Sequence, residues 1–289
     1  MNIRLVGVKA LRKFGLSRYL NLYPKILVGN KKTTIPILRG IGEENLNISE
    51  QWMLDLFMVY RSRFEKGAFW DVGFNVGQTL IKYRTIFNDT KYLGFDPNPV
   101  CAFYVRELIQ SNAWKNTDII SVGLAKETAI LELFFYEKGD VDSSASMIRD
   151  FRANKSVKQI FRIPVFDLQS MNNLEGFTNS IRCIKIDVEG GELEVIQSCI
   201  ELIKSQRPLV LLEILPAYKE TNYTRISRQL EVERLFKELN YSCWLVIKNK
   251  KNRLANLEKI VSIGVNNDIN NCDYIYLPEE ETSTFRTGE

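Results

Sequence analysis

Histidine is missing from all 289 residues, which removes the commonest metal ligand and the commonest general base together. Serine-histidine and cysteine-histidine nucleophilic systems are excluded with it. Cysteine is scarce: Cys101, Cys183, Cys199, Cys243 and Cys272 are odd in number, widely spread and never in a C-x-x-C pair. That distribution suits neither a disulfide framework nor a zinc cluster, and a reducing, cytoplasmic location is expected from it. No apolar run approaches the roughly 20 residues that span a bilayer. The apolar positions near the N-terminus are broken by Lys9, Arg12 and Lys13, unlike the core of a signal peptide, so export is not expected. Repeats and low-complexity stretches are also missing. With 45% apolar and 26% charged residues, the chain has the material for a sizeable globular core.

Acidic residues are absent from the first 42 positions, which carry nine Lys or Arg. One reading is a basic arm that makes peripheral contact with an anionic surface such as a membrane, an acidic glycan or a neighbouring subunit. The other is a solvated, helix-rich extension. Leu5, Val8, Leu11, Phe14 and Leu20 drift around a helix without forming one stripe, which favours the second. Ser49, Trp52, Leu56, Val59 and Tyr60 recur at helical spacing, with Ser49 as the expected N-cap. We divide the chain into an extension (1–66), a main domain (67–280) and a tail (281–289).

From Gly67 on, short apolar runs alternate with helical patterns: AFWDV, KYLGFD, TDIISVGL, LELFFY, IRCIKIDV, PLVLLEIL, YSCWLVIK and CDYIYLP. Strands separated by helices predict an α/β fold, a doubly wound and mostly parallel sheet. The last two runs are linked too briefly for a helical crossover and are expected to pair antiparallel. Ligands of such sheets bind beyond the C-terminal ends of the strands, where the strand order reverses.

The first strand ends in Asp71-Val72-Gly73-Phe74-Asn75-Val76-Gly77-Gln78. Glycines four apart between a strand and a helix permit a tight turn and close approach of a ligand to the backbone. A dinucleotide fingerprint needs glycine where Asn75 stands, so a phosphate-bearing cofactor is disfavoured here. S-adenosylmethionine has no phosphate; its amino-acid end and sulfonium favour acids, carbonyls and amides, which Asp71, Gly73, Asn75 and Gly77 supply. The second strand stops on Asp96, placed to accept hydrogen bonds from ribose hydroxyls. The alternative for Asp96 is an Asp-Pro turn, since Pro97 and Pro99 bracket Asn98.

The segments DVGFNVGQ at 71–78, YLGFDPNP at 92–99, FDL at 166–168, IKIDVEGGELEVI at 184–196 and LLEI at 211–214 resemble the FkbM methyltransferase family. The resemblance implies a class I, Rossmann-like methyltransferase fold, S-adenosylmethionine as methyl donor, and methylation of hydroxyls on sugars, glycans or secondary metabolites. It carries the donor residues over to Asp71, Gly73, Asn75, Gly77 and Asp96, and the acid motif to Asp187, Glu189, Gly190 and Glu192. Asp96 and Gly191 are mild departures from the family's usual glutamate and alanine.

Independently of the family, Lys185, Asp187 and Glu189 alternate onto one face at the end of a strand that should be apolar, and buried charges are costly unless paired or functional. The structural reading pairs Lys185 with Asp187 and makes Glu192 a helix cap. The functional one makes Asp187 or Glu189 the general base for a hydroxyl acceptor. Glu213 closes the next strand, so Asp187, Glu189 and Glu213 are candidate ligands for a divalent cation such as magnesium, or direct hydrogen-bonding partners of sugar hydroxyls. Three rival classes stay open. A nucleic-acid methyltransferase is disfavoured because DVEGGE stands where a D/N-P-P-aromatic motif is expected. A nicotinamide oxidoreductase and a non-catalytic donor-binding subunit are the others.

Overall fold

Most of the runs bounded by Gly, Pro and Asp become strands of one large sheet, while LELFFY goes to a smaller one. The computed structural model describes residues 13–149, 151–152, 155–171 and 174–283. The strands are β1 (Asn21–Leu22), β2 (Lys25–Val28), β3 (Lys31–Thr34), β4 (Ile37–Leu38), β5 (Ala68–Val72), β6 (Tyr92–Phe95), β7 (Thr117–Ile120), β8 (Gly123–Leu124), β9 (Ala129–Phe135), β10 (Gln159–Phe166), β11 (Ile181–Ile186), β12 (Leu209–Glu213), β13 (Tyr241–Lys248), β14 (Leu254–Ile260) and β15 (Asp273–Pro278). The α-helices are α1 (Gln51–Val59), α2 (Arg61–Phe64), α3 (Gln78–Ile86), α4 (Pro99–Ser111), α5 (Glu175–Thr178), α6 (Glu192–Ser198), α7 (Ile200–Gln206) and α8 (Tyr223–Glu238).

The large sheet has the order β14-β13-β15-β12-β11-β5-β6-β7. Strands β7, β6, β5, β11 and β12 pair in parallel. β15 lies between β12 and β13, antiparallel to both, as expected for the last strand. The chain leaves β5 toward β6 on one side and later fills β11 and β12 on the other, so the order reverses between β5 and β11. A crevice opens there, beyond the strand ends.

All of β5 is buried, and its side chains alternate between two layers. Phe69 packs with Phe57, Leu80 and Tyr104 from α1, α3 and α4. Trp70 and Val72 pack with Val195, Ile203 and Phe236 from α6, α7 and α8. Each such side chain contributes about 1.5–3 kcal/mol on burial. Asp71 falls between Trp70 and Val72 and therefore faces the α1/α3/α4 layer.

Three expectations are corrected. The helix-rich extension is not what residues 13–48 form: β1–β4 build two small antiparallel pairs. The Lys25-Ile26-Leu27-Val28 stretch alternates exposed and buried, a period of two. Ile26, Val28, Ile35 and Ile37 join the same core as α1 and α3. Leu5, Val8 and Leu11, and residues 284–289 of the tail, lie outside the described residues. Ser49 is not a cap: α1 begins at Gln51 after Glu50, whose φ is 50°, with no side-chain cap bond. Finally, β10 pairs antiparallel with β9 and parallel with β8, forming a separate three-stranded sheet at the edge of the crevice. No helix among the described residues is long and apolar enough to cross a membrane.

Candidate active site

Two loops meet at the point of strand reversal. Gly73 follows β5 with φ 89°, and a Cβ there would lie 1.8 Å from the Asp187 carbonyl oxygen, so only glycine lets the loops after β5 and β11 touch. The Asp187 amide donates to the Val72 carbonyl at 2.9 Å, and the Gly73 amide to that of Phe95 at 2.7 Å. Asn75, at φ 47°, turns its amide toward Asp96. Gly77 is the N-cap of α3. Asp96 is 8% exposed; Oδ2 accepts from the Asn75 amide at 2.8 Å and Oδ1 from the Asn98 amide at 2.9 Å. The second bond is the turn that the Asp-Pro reading anticipated, so Asp96 holds the loop while facing the crevice. Burial pushes its carboxyl up to about 6.

A cavity of about 340 Å³ occupies the crevice. Gly73, Asn75, Asp96, Asp187, Glu189 and Glu213 all line it, with Val122, Leu124, Leu133 and Val195 as apolar walls. Asp71 and Gly77 do not line it. Asp71 is fully buried, accepts from the Tyr92 hydroxyl at 2.5 Å and lies 3.7 Å from Lys185 Nζ. It stands behind the cavity wall rather than in it, because strand alternation turns it into the helical layer. Burial alone would lower the Lys185 pKa, but the carboxylates of Asp187, Asp71 and Glu50 together hold it above the ordinary lysine value. Lys185 thus stays an ammonium, 2.9 Å from Asp187 Oδ2, realising the pairing anticipated for it.

The acid motif divides its labour. Asp187 keeps a partly exposed side chain in the cavity wall. Glu189, at φ 53°, is bound by Arg152; burial, then the nearby Asp187, pushes its carboxyl up to about 8. Glu192 Oε1 accepts from the Gly190 amide at 2.7 Å, ahead of the helix, and no side-chain bond caps α6 at Gly191, so the capping role expected of Glu192 is not realised.

The expected cation set does not assemble as Asp187, Glu189 and Glu213. Among the described residues, the carboxylates that come within 4.8 Å of one another are Glu50, Glu213 and Asp273. Glu189 is paired with Arg152 instead, and Glu50 and Asp273 come from the start of α1 and of β15. Glu50 is paired with Lys82 at 2.5 Å and Asp273 with Lys248. Glu213 meets the Cys272 thiol at 3.5 Å, and burial, then Asp187 and Asp273, raise its carboxyl well above the usual range.

Asp142, in a small polar stretch that stood outside the expected site residues, also lines the cavity. Its carboxylate accepts from the Tyr136, Glu137 and Ser144 amides and from the Ser144 hydroxyl. Burial would raise its pKa, but those bonds bring it below the usual carboxylate value. As sequence, Asp142-Ser143-Ser144 reads equally as a contact at this edge or as a plain surface loop, and the fold turns its carboxylate inward.

A glycine loop, an acid on the next strand and a cavity at the strand reversal define a nucleotide-cofactor-binding α/β domain. The methyltransferase FkbM domain matches residues 71–243, more than half of the chain, and the protein belongs to that family. No curated protein matches it. Similar solved structures include a methyltransferase FkbM from Methylobacillus flagellatus KT, 12% identical over 80% of this chain and 48% of that one, TM-score 0.44. The protein therefore spans about half the length of that relative. A putative caffeoyl-CoA O-methyltransferase from Staphylococcus aureus is 12% identical over 94% of this chain and 91% of its own, TM-score 0.43. Cofactor-bound Rv0187 from MTB is 10% identical over 96% and 91%, TM-score 0.46.

Proposed function

We propose that this methyltransferase uses S-adenosylmethionine to methylate a hydroxyl group of a sugar, glycan or secondary metabolite. The observation that carries the reading is the carboxyl-rich lining of the cavity: six carboxyl groups and one ammonium, with the carboxyls of Glu189 and Glu213 held above the usual range by burial. That lining suits a donor with a sulfonium and an α-amino group, and it opposes a dinucleotide pyrophosphate. Asp96 would take the ribose hydroxyls, since a carboxylate has lone pairs left after two backbone bonds. Gly73 and Asn75 would hold the amino-acid end, and Val122, Leu124 and Leu133 the base. When bound, S-adenosylmethionine supplies an activated methyl group.

The chain's own residues position the acceptor and manage its proton. Asp187 is the best-placed group for the acceptor hydroxyl, because it lines the cavity and Lys185 fixes its carboxylate. Glu189, tied to Arg152, is the poorer candidate for the base. Holding both reactants in contact supplies up to about 7–11 kcal/mol, so little further chemistry is required of the protein. The test is transfer of radiolabelled methyl from S-adenosylmethionine to a panel of sugars and polyols. Asp187→Asn should keep donor affinity and lose about 10²–10⁴-fold in turnover; full turnover in that variant would remove Asp187 from this role. Absence of transfer to any acceptor, with donor bound, favours a non-catalytic subunit.

A further inference from the structure

A second cavity, of about 480 Å³, lies beyond the Glu189 wall of the first. Its lining is opposite in sign: Arg149, Arg152, Lys155, Arg225 and Arg228 surround it, with no Asp or Glu among its described lining residues. The two cavities share one boundary, the ion pair in which Arg152 grips Glu189.

Some of these cations are already neutralised. Arg228 is bound to Glu194 and to the Gly190 carbonyl. Arg149 meets Glu132 at 3.4 Å and Lys155 meets Glu137 at 3.0 Å, both in exposed pairs. Such pairs are worth about 0–1 kcal/mol and yield readily to a ligand. Arg225 and Arg152 differ. Among the described residues Arg225 has no carboxylate partner: its guanidinium donates to the Pro216 carbonyl at 2.9 Å and the Phe151 carbonyl at 2.6 Å. Arg152 holds Glu189 through one terminal nitrogen of its guanidinium, and its side chain stays about one-fifth exposed at the cavity wall. Burial, then Asp187, pushes the carboxyl of Glu189, the partner of Arg152, up to about 8, so its hold on Arg152 weakens as it takes up a proton.

Aromatic surface completes the site. Phe151 lies under the Arg225 guanidinium at 4.2 Å and packs onto Gly190, where a Cβ would come within 2.6 Å of its ring. Tyr218, held at φ 62°, is 41% exposed on the same rim, its ring centroid 5.7 Å from the Arg225 guanidinium. Strain of this kind in a bulky residue concentrates at ligand sites. Flat rings beside a fork of guanidinium donors suit a sugar ring bearing an oxyanion.

We propose that this basic cavity binds a phosphate or carboxylate group carried by the methyl acceptor, so that the substrate is an anionic sugar spanning both cavities. Its hydroxyl sits in the acidic cavity and its oxyanion against Arg152 and Arg225. This rests on the reading of the first cavity as the methyl-transfer site.

The test is calorimetric titration of the full chain, saturated with S-adenosylhomocysteine, with glucose, glucose 6-phosphate and glucuronic acid in turn. At least one anionic sugar should bind about tenfold or more tightly than glucose, and the preferred one identifies the oxyanion. Arg152→Gln and Arg225→Gln should each erase that advantage while leaving S-adenosylhomocysteine affinity unchanged. The unchanged affinity also shows that each variant is folded, and Arg152→Gln, which breaks no backbone contact, decides the matter if Arg225→Gln unfolds. Equal affinity for all three sugars in a protein that binds S-adenosylhomocysteine, or an advantage that survives Arg152→Gln, would overturn the inference. Failure to bind S-adenosylhomocysteine at all would instead overturn the function on which it rests.

Discussion

Replacing Asp96 by Asn separates two effects that the native carboxylate combines. Burial raises its pKa from 3.8 to about 6. A folded pKa above the unfolded one means that the associated stability is full below about pH 4 and is lost as pH rises through about 6. At about 1.4 kcal/mol per pKa unit, a difference of about two amounts to roughly 3 kcal/mol. The amide carries no such loss, but its nitrogen cannot accept, so one of the bonds from Asn75 and Asn98 goes, costing about 1–3 kcal/mol at every pH. Asp96→Asn should therefore be clearly less stable than the native protein near pH 4 and equal to it, or more stable, near pH 7.5. Urea unfolding at the two pH values measures this. The same variant should bind S-adenosylhomocysteine about 10- to 100-fold more weakly, because charge-assisted bonds to the ribose hydroxyls, about 1.5–3 kcal/mol each, are weakened. A stability difference that is flat with pH would refute the burial reasoning, and native affinity in the variant would refute the ribose role.

Gly73→Ala places a methyl carbon against the Asp187 carbonyl at a left-handed φ, so it should separate the two loops and abolish donor binding, measured by calorimetry with melting as the folding control. Chelation with EDTA should leave turnover unchanged, because two of the three carboxylates close enough to share an ion are already held by Lys82 and Lys248. A loss restored by magnesium would contradict this. The Asp187→Asn measurement described above completes the set.

The sheet was legible because its strands are continuous apolar runs that stop on glycine or an acid, and because those stops coincide with the crevice. Gly73, Asn75, Asp96, Asp187 and Glu213 could be placed for that reason alone. Asp71 could not be assigned to the correct side: it shares the strand end with Val72, and only the alternation of β5 between two layers sends it to Tyr92 and Lys185. Glu50 and Asp273 were invisible because neither belongs to a motif; tertiary packing of α1 and β15 brings them to Glu213. The strands at 21–38 were missed because two to four residues are too few to reveal a period of two. Likewise β10 was missed because Gln159, Arg162 and Pro164 interrupt its apolar positions. The basic cavity joins segments near 150 and 225, a distance over which no sequence pattern reports.

Titration of the purified protein with S-adenosylhomocysteine, run beside NADH, tests the central claim most directly. Micromolar binding of S-adenosylhomocysteine at one site per chain, with no heat from NADH, is the result expected of a cavity lined by carboxylates around Asp96. Binding of NADH alone, or of neither, would contradict it.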